Sequence, residues 1–224
     1  MKFQYLAIVL SLFTGVAHAA TQYELSITNG SNMPISPAVI AVQNRASSET
    51  LIGQTASTGL VQLCQTGNGA QRLNEIKGEM SVTYTTQTMG LLFPGQTTTV
   101  KVEVQNPMTQ DLHFEAMYGK TKDSCAVANI AFAPDVLKKD EVVSTGAFAN
   151  AVLPADLNQA CSDAKDAVSC LRELSTPATD KIHYFTSYLP SVVNFLEAKY
   201  GAADTQTLII PTSGGLQLHL KQVH

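Results

Sequence analysis

A chain of 224 residues is long enough to bury a sizeable core, as one large domain or two small ones. Its 14 Lys and Arg against 18 Asp and Glu leave a formal charge of −4. That balance argues against nucleic acid or anionic lipid as the main partner. Charged residues make up only 14% of the chain, and Ser and Thr are plentiful, so the surface is expected to carry hydroxyls more than ions.

The chain opens with the features of an export signal. Lys2 supplies a positive start, residues 5–13 are apolar except for Ser11, and Ala17-His18-Ala19 is a small-x-small cleavage site. The apolar run is too short to span a bilayer. Residues 1–19 are therefore read as a signal peptide, and the rest as a secreted or periplasmic protein. No later run approaches the ~18 apolar residues of a transmembrane helix.

The front of the mature chain reads as β-structure. Tyr23, Leu25 and Ile27 alternate with Glu24, Ser26 and Thr28, as in a half-buried strand. Asn29-Gly30 signals a turn. Asn29-Gly30-Ser31 also fits a glycosylation acceptor. Val39-Ile40-Ala41-Val42 is a continuous apolar run, consistent with a strand buried on both faces. Residues 57–63 and 70–76 have helical spacing around Gly67-Asn68-Gly69, and are read as two short helices or turns packed over the strands. Met80, Val82 and Tyr84 alternate. Val100, Val102 and Val104 line one face of a strand after the Pro94-Gly95 turn, and Leu112, Phe114, Ala116 and Tyr118 follow after Asn106-Pro107. Residues 127–132 form a further apolar strand. Short strands punctuated by turn signals argue for an antiparallel sandwich.

The back of the chain is more helical. Val168, Leu171 and Leu174 sit at helical spacing, and Leu189, Val192, Val193 and Leu196 share one face of a second helix, with Pro190 in its first turn and Gly201 as its C-cap. The end returns to β-structure, with Leu208-Ile209-Ile210, a Ser213-Gly214-Gly215 turn, and alternating Leu216, Leu218 and Leu220. This hairpin is placed to complete the sandwich, which would make the helices an insertion. A separate unit is the alternative, with its boundary near residues 134–146. The division is drawn as residues 20–134 for the sandwich and 135–224 for the helical region ending in the hairpin.

Four cysteines in an exported chain point to disulfides. Cys64, Cys125, Cys161 and Cys170 allow three pairings; Cys64 with Cys125 and Cys161 with Cys170 is the one favoured. On one continuous helix Cys161 and Cys170 would stand ~13.5 Å apart, whereas a disulfide needs Cα atoms within ~7 Å. The chain must therefore turn back between them, at residues 162–166. No C-x-x-C spacing or nearby histidine supports zinc instead.

These segments resemble the spondin N-terminal domains of bacterial exported proteins. The resemblance rests on residues 23–29 followed by Ile35-Ser36-Pro37 and the 38–42 run, on Gly53 with Ala56-Ser57, on Leu91-Leu92-Phe93-Pro94-Gly95-Gln96 leading into Val100, and on Glu115-Ala116-Met117 followed by Asp123. It spans residues 23–132. It implies a mainly β, C2-like antiparallel sandwich, here with a helical C-terminal insertion or extension. It also implies a non-catalytic binding or adhesion role, toward an extracellular or cell-surface protein or glycan. Animal members of the family hold a calcium ion at one end of the sandwich. Only Asp123 matches their acidic loop residue, and here Lys120 and Lys122 precede it, opposing a cation that wants six to eight oxygens.

Signatures of catalysis are missing from the sequence: there is no G-x-S-x-G, H-E-x-x-H, P-loop or G-x-G-x-x-G. A site assembled from distant residues, as in a secreted hydrolase, is the rival reading; a structural envelope component is a third. His113 and His219 fall on the polar phase of their strands and are expected to face water. Glu103 and Glu115 could pair across neighbouring strands, although a solvated sheet face is favoured. Tyr184, Phe185, Tyr188 and Phe195 are expected to cover the sandwich rather than form an exposed aromatic patch.

Overall fold

The structure, a computed structural model, describes residues 20–45, 52–119, 121, 123–145, 156–174, 181–184, 190–206 and 215–223. The signal-peptide reading of residues 1–19, the Leu208-Ile209-Ile210 arm, Lys120, Lys122, Phe185 and Tyr188 lie outside them. In chain order the elements are β1 (Thr21–Asn29), β2 (Val39–Asn44), α1 (Thr58–Thr66), α2 (Ala70–Lys77), β3 (Val82–Gln87), β4 (Thr97–Val104), β5 (Gln110–Met117), β6 (Ser124–Ala131), β7 (Asp135–Lys139), β8 (Glu141–Ser144), α3 (Leu157–Ala160), α4 (Ala167–Leu174), β9 (His183–Tyr184), α5 (Pro190–Tyr200), α6 (Ala202–Gln206) and β10 (Leu216–Val223).

The protein is mainly β, with two antiparallel sheets of order β4-β1-β10-β7 and β3-β2-β5-β6-β8-β9. Alternation explains the first sheet. Tyr23, Leu25 and Ile27 on β1 and Leu216, Leu218 and Leu220 on β10 point inward and are buried, while the residues between them are more open. β1 and β10 pair along eight residues, from Gln22 opposite Val223 to Asn29 opposite Leu216. The last strand of the chain thus lies beside the first. The helices α3 to α6 lie between β8 and β10 in the chain, and between α4 and α5 the short β9 returns to the second sheet beside β8.

The second sheet is covered on both sides. Its inner face joins the first sheet around Ile40, Val42, Leu112, Phe114 and Tyr118. Its outer face carries Val39, Ala41, Cys125 and Val127, which pack against Leu60, Leu63, Cys64 and Ile76 of α1 and α2. β2 and β5 are accordingly buried along almost their whole length. The continuous apolar run of β2 and the two-helix cover are as the sequence indicates.

Local chemistry sets the cover in place. Ser57 caps α1 by accepting from Leu60 N at 3.2 Å. Gly67 ends it in the left-handed region at φ +74°. Glu75 of α2 accepts from Gly59 N at 2.7 Å and from the Ser57 hydroxyl at 2.6 Å. A Cβ on Gly59 would lie 2.6 Å from the Arg72 backbone nitrogen, so only glycine allows this approach of the two helices. Cys64 of α1 is bonded to Cys125 of β6.

The remaining helices build a separate apolar cluster of Cys161, Ala167, Cys170, Leu171, Leu174, Val192 and Leu196. The Cys161–Cys170 disulfide has its Cα atoms 4.9 Å apart because the chain turns back between α3 and α4. Both pairings match the favoured ones. Two disulfides suit an oxidising compartment. Among the described residues no helix is long and apolar enough to cross a membrane.

Candidate functional site

The α1–α2 cover closes over a polar strip on the second sheet. Side chains at alternate positions of a strand share a face. The register places Ala41 opposite His113 and Val39 opposite Glu115 on one side, and Asn129 opposite His113 on the other. Glu115 is completely buried. It accepts two parallel bonds from Arg72 of α2, from Nε to Oε2 and from Nη2 to Oε1, each 2.8 Å. Nε2 of His113 lies 2.7 Å from the same Oε1, and Nδ1 lies 2.6 Å from Asn129 Oδ1. Nη1 of Arg72 reaches the Ser57 hydroxyl at 3.3 Å.

Electrostatics follow from this packing. Burial alone would push the Glu115 carboxyl up, but the charge of His113 and the hydrogen bonds from Arg72 and His113 outweigh it and hold it at about 2. Burial pulls the His113 imidazole down, and the charge and bonds of Glu115 with the Asn129 bond leave it raised. Arg72, desolvated but paired with Glu115, is raised as well.

His113 and Glu115 therefore do not face water, contrary to the sequence-based expectation. The polar phase of β5 is real, but a helical cover lies over it. Nor does Glu115 meet Glu103. Glu103 is exposed on β4 in the other sheet, where it accepts from Gln22 Nε2 at 3.2 Å. His219 does face outward, 2.7 Å from Asp135 Oδ1.

A cleft of about 140 Å³ opens beside this network. Buried Gln43, Arg72 and His113 form its polar side, and Leu60, Ile76 and Ile182 its apolar side. Both ring nitrogens of His113 are held by Glu115 and Asn129, and the Ser57 hydroxyl is directed at Glu75. Among the described residues of this cleft, no hydroxyl is hydrogen-bonded to the His113 imidazole.

A second concavity, about 380 Å³, lies between the end of β3 and the start of β4, where Ile27, Ile35 and Phe114 reach the surface of the core. Its rim is the 88–96 loop. Met89, Leu91 and Phe93 are 94%, 56% and 51% exposed there. The loop is tightly held. Ile35 and Leu92 exchange backbone bonds of 2.9 and 3.0 Å, and Gly95 N donates to Asn29 O at 2.7 Å. The Asn29 amide donates to Met33 O at 2.7 Å and Leu92 O at 2.8 Å, and accepts from Ser31. Asn29 is thus a buried staple and not a glycosylation acceptor; the turn reading stands.

Asp123 is also buried, at the start of β6, and its Oδ1 accepts from the Ser124 hydroxyl at 3.3 Å. It is not the solvated loop residue that was the plain alternative to a metal ligand. Among the described residues no three His, Cys, Asp or Glu side chains are grouped to hold a metal ion. Of the aromatic cluster, Phe195 packs in the helical unit and not on the sandwich, with Lys199 Nζ 5.7 Å above its ring, while Tyr184 is exposed.

In comparisons with protein-family models and with curated proteins, none matches the chain.

Proposed function

We propose that this is an exported, non-catalytic binding protein of spondin-like type that takes up an extended, uncharged polypeptide segment along β3 and the 88–96 loop. The observation that carries this reading is the set of three apolar side chains, Met89, Leu91 and Phe93, held outward by a loop whose backbone is hydrogen-bonded in place. Apolar groups fixed in advance lose little entropy on binding. A contiguous exposed apolar patch on a soluble domain marks an interaction site.

The partner chemistry follows from the neighbourhood. Among the described residues β3 is an outer strand, paired only with β2, which leaves one side of its backbone to add a strand. Edge strands are normally guarded by charge or proline. β3 has neither, and no Lys, Arg, His, Asp or Glu occurs from position 80 to position 100. Export is supported by the residues 1–19 signal and by the two disulfides.

The test is selection from a library of strand-length peptides of about six to eight residues on the oxidised protein. Selected peptides are expected to be uncharged with alternating apolar residues. Binding should be lost when Met89, Leu91 and Phe93 are all changed to Ser, and when alternate backbone amides of the peptide are N-methylated. Selection of charged peptides, or undiminished binding by the triple variant, would overturn the reading.

A further inference from the structure

Gln43 is the group that the fold leaves unexplained. Its residue is 7% exposed, yet among the described residues its side chain makes no hydrogen bond. Its amide atoms are accordingly the part of the side chain that reaches the cleft, open to a partner from outside the protein. The β2–β3 register shifts between Val42 and Gln43, and such irregularities re-aim a side chain. Gln43 lines the cleft beneath the α1–α2 cover.

The other walls narrow what would satisfy it. A guanidinium has five N–H donors; Glu115 takes two from Arg72 and Ser57 takes one. Two N–H donors therefore remain on a side chain that lines the cleft. Glu79 and Thr55 stand exposed at the mouth. Opposite them Leu60, Ile76 and Ile182 offer a patch for a methyl group. The Arg72 charge is already matched by Glu115, and Glu75 lies 3.6 Å from Nη1, so an anion gains nothing here. The volume of about 140 Å³ admits roughly ten water-sized groups, at about 10–15 Å³ each.

We infer that this cleft binds an uncharged secondary amide, the acetamido group of a small ligand. Its carbonyl oxygen accepts from Arg72, on the edge of the trans amide opposite its N–H. Its N–H donates to Gln43 Oε1. Its methyl lies on Leu60, Ile76 and Ile182. The site is distinct from the apolar loop and stands whether or not that loop binds peptide. Two sources carry the group: an N-acetylated amino sugar and a peptide backbone.

The experiment is an NMR titration of the oxidised protein with four probes: N-acetylglucosamine, N-acetylalanine methylamide, glucose and acetate. Saturable shifts at Gln43, Thr55 and Ile182 are expected with one or both amides and with neither glucose nor acetate. A response to the sugar alone or to the capped amino acid alone identifies the source. Gln43→Leu should weaken the amide about tenfold, equivalent to about 1.4 kcal/mol. Thr55→Phe, at the exposed mouth, should block the cleft without touching the buried network, so it serves if Gln43→Leu does not fold. Absence of response to both amides, an equal response to glucose or acetate, or retained affinity in a folded Thr55→Phe overturns the inference.

Discussion

Two pairs of short helices in this protein each carry a disulfide, and they are held in different ways. The α1–α2 pair is tied to the sheet: Cys64 bonds Cys125 across 61 residues of sequence, and Arg72 makes a two-pronged bond to Glu115 beneath it. The α3–α4 pair is tied to itself: Cys161 and Cys170 are 9 residues apart, and the cysteines sit in a local cluster with α5. The first pair belongs to the sandwich core and fixes the shape of a cleft. The second stabilises a small helical unit that leaves the sheet and returns to it. The comparison separates a crosslink that positions a site from one that supports a compact insertion.

The largest expected effect breaks the first arrangement. Arg72→Met leaves the Glu115 carboxylate buried without its main partner, and should cost about 3–5 kcal/mol in denaturant unfolding. Converting both, Arg72→Met with Glu115→Met, should recover much of that loss, because an apolar pair of similar size can replace a buried ion pair. If the single variant costs less than about 1 kcal/mol, the network does not anchor the cover. Removing the disulfides comes next. In the chain-entropy model, Cys64→Ala with Cys125→Ala should cost about 4 kcal/mol, and Cys161→Ala with Cys170→Ala about 3. The contrast should be sharper in hydrogen exchange. The first double variant should expose amides in β5 and β6, and the second only amides of α3 to α5. Equal loss of protection across both regions in either variant would show that the two are one cooperative unit.

Much of this layout was legible in the sequence. The period-two pattern of Tyr23, Leu25 and Ile27 and the unbroken run at 39–42 translate directly into a half-open and a fully covered strand. The turn between Cys161 and Cys170 follows from disulfide reach alone. The polar network was not legible, because alternation on β5 reads the same whether His113 and Glu115 meet water or a polar group under a helix. A signal was nonetheless present. A strand buried on both faces at 39–42 implies that its neighbours are also covered, and a covered Glu needs a cation. Arg72 and Lys77 are the only Lys or Arg residues of α1 and α2. β7 and β8 were missed for another reason: Asp135, Lys138, Lys139 and Glu141 make residues 135–144 look like a solvated boundary, yet one strand joins each sheet. Register, which alone brings residue 43 beside residues 111–113, is a tertiary property that no local pattern encodes.

The smallest expected effect concerns protons, and it tests whether the cover responds to pH where the helical insertion does not. His113 is raised in the folded state, so its contribution is complete below the unfolded value near 6.5 and is lost as pH rises through the folded value. Glu115 is held at about 2, so its contribution is present above about 4.5 and fades as pH falls toward 2. The charged and polar groups that face them are Arg72, Glu75, Glu79 and Asn129. Stability from this network should therefore be greatest between about pH 4.5 and 6.5 and decline on the alkaline side. His113→Gln keeps a donor toward Glu115 but removes the titration, so it should flatten the alkaline decline and leave the acid limb in place. An alkaline decline of the same size in His113→Gln would assign it to other groups. Exchange measured at pH 5 and pH 8 should show the change, after correction for intrinsic rates, in α1, α2 and β5 and not in α4, since no histidine lies among the residues of the helical cluster.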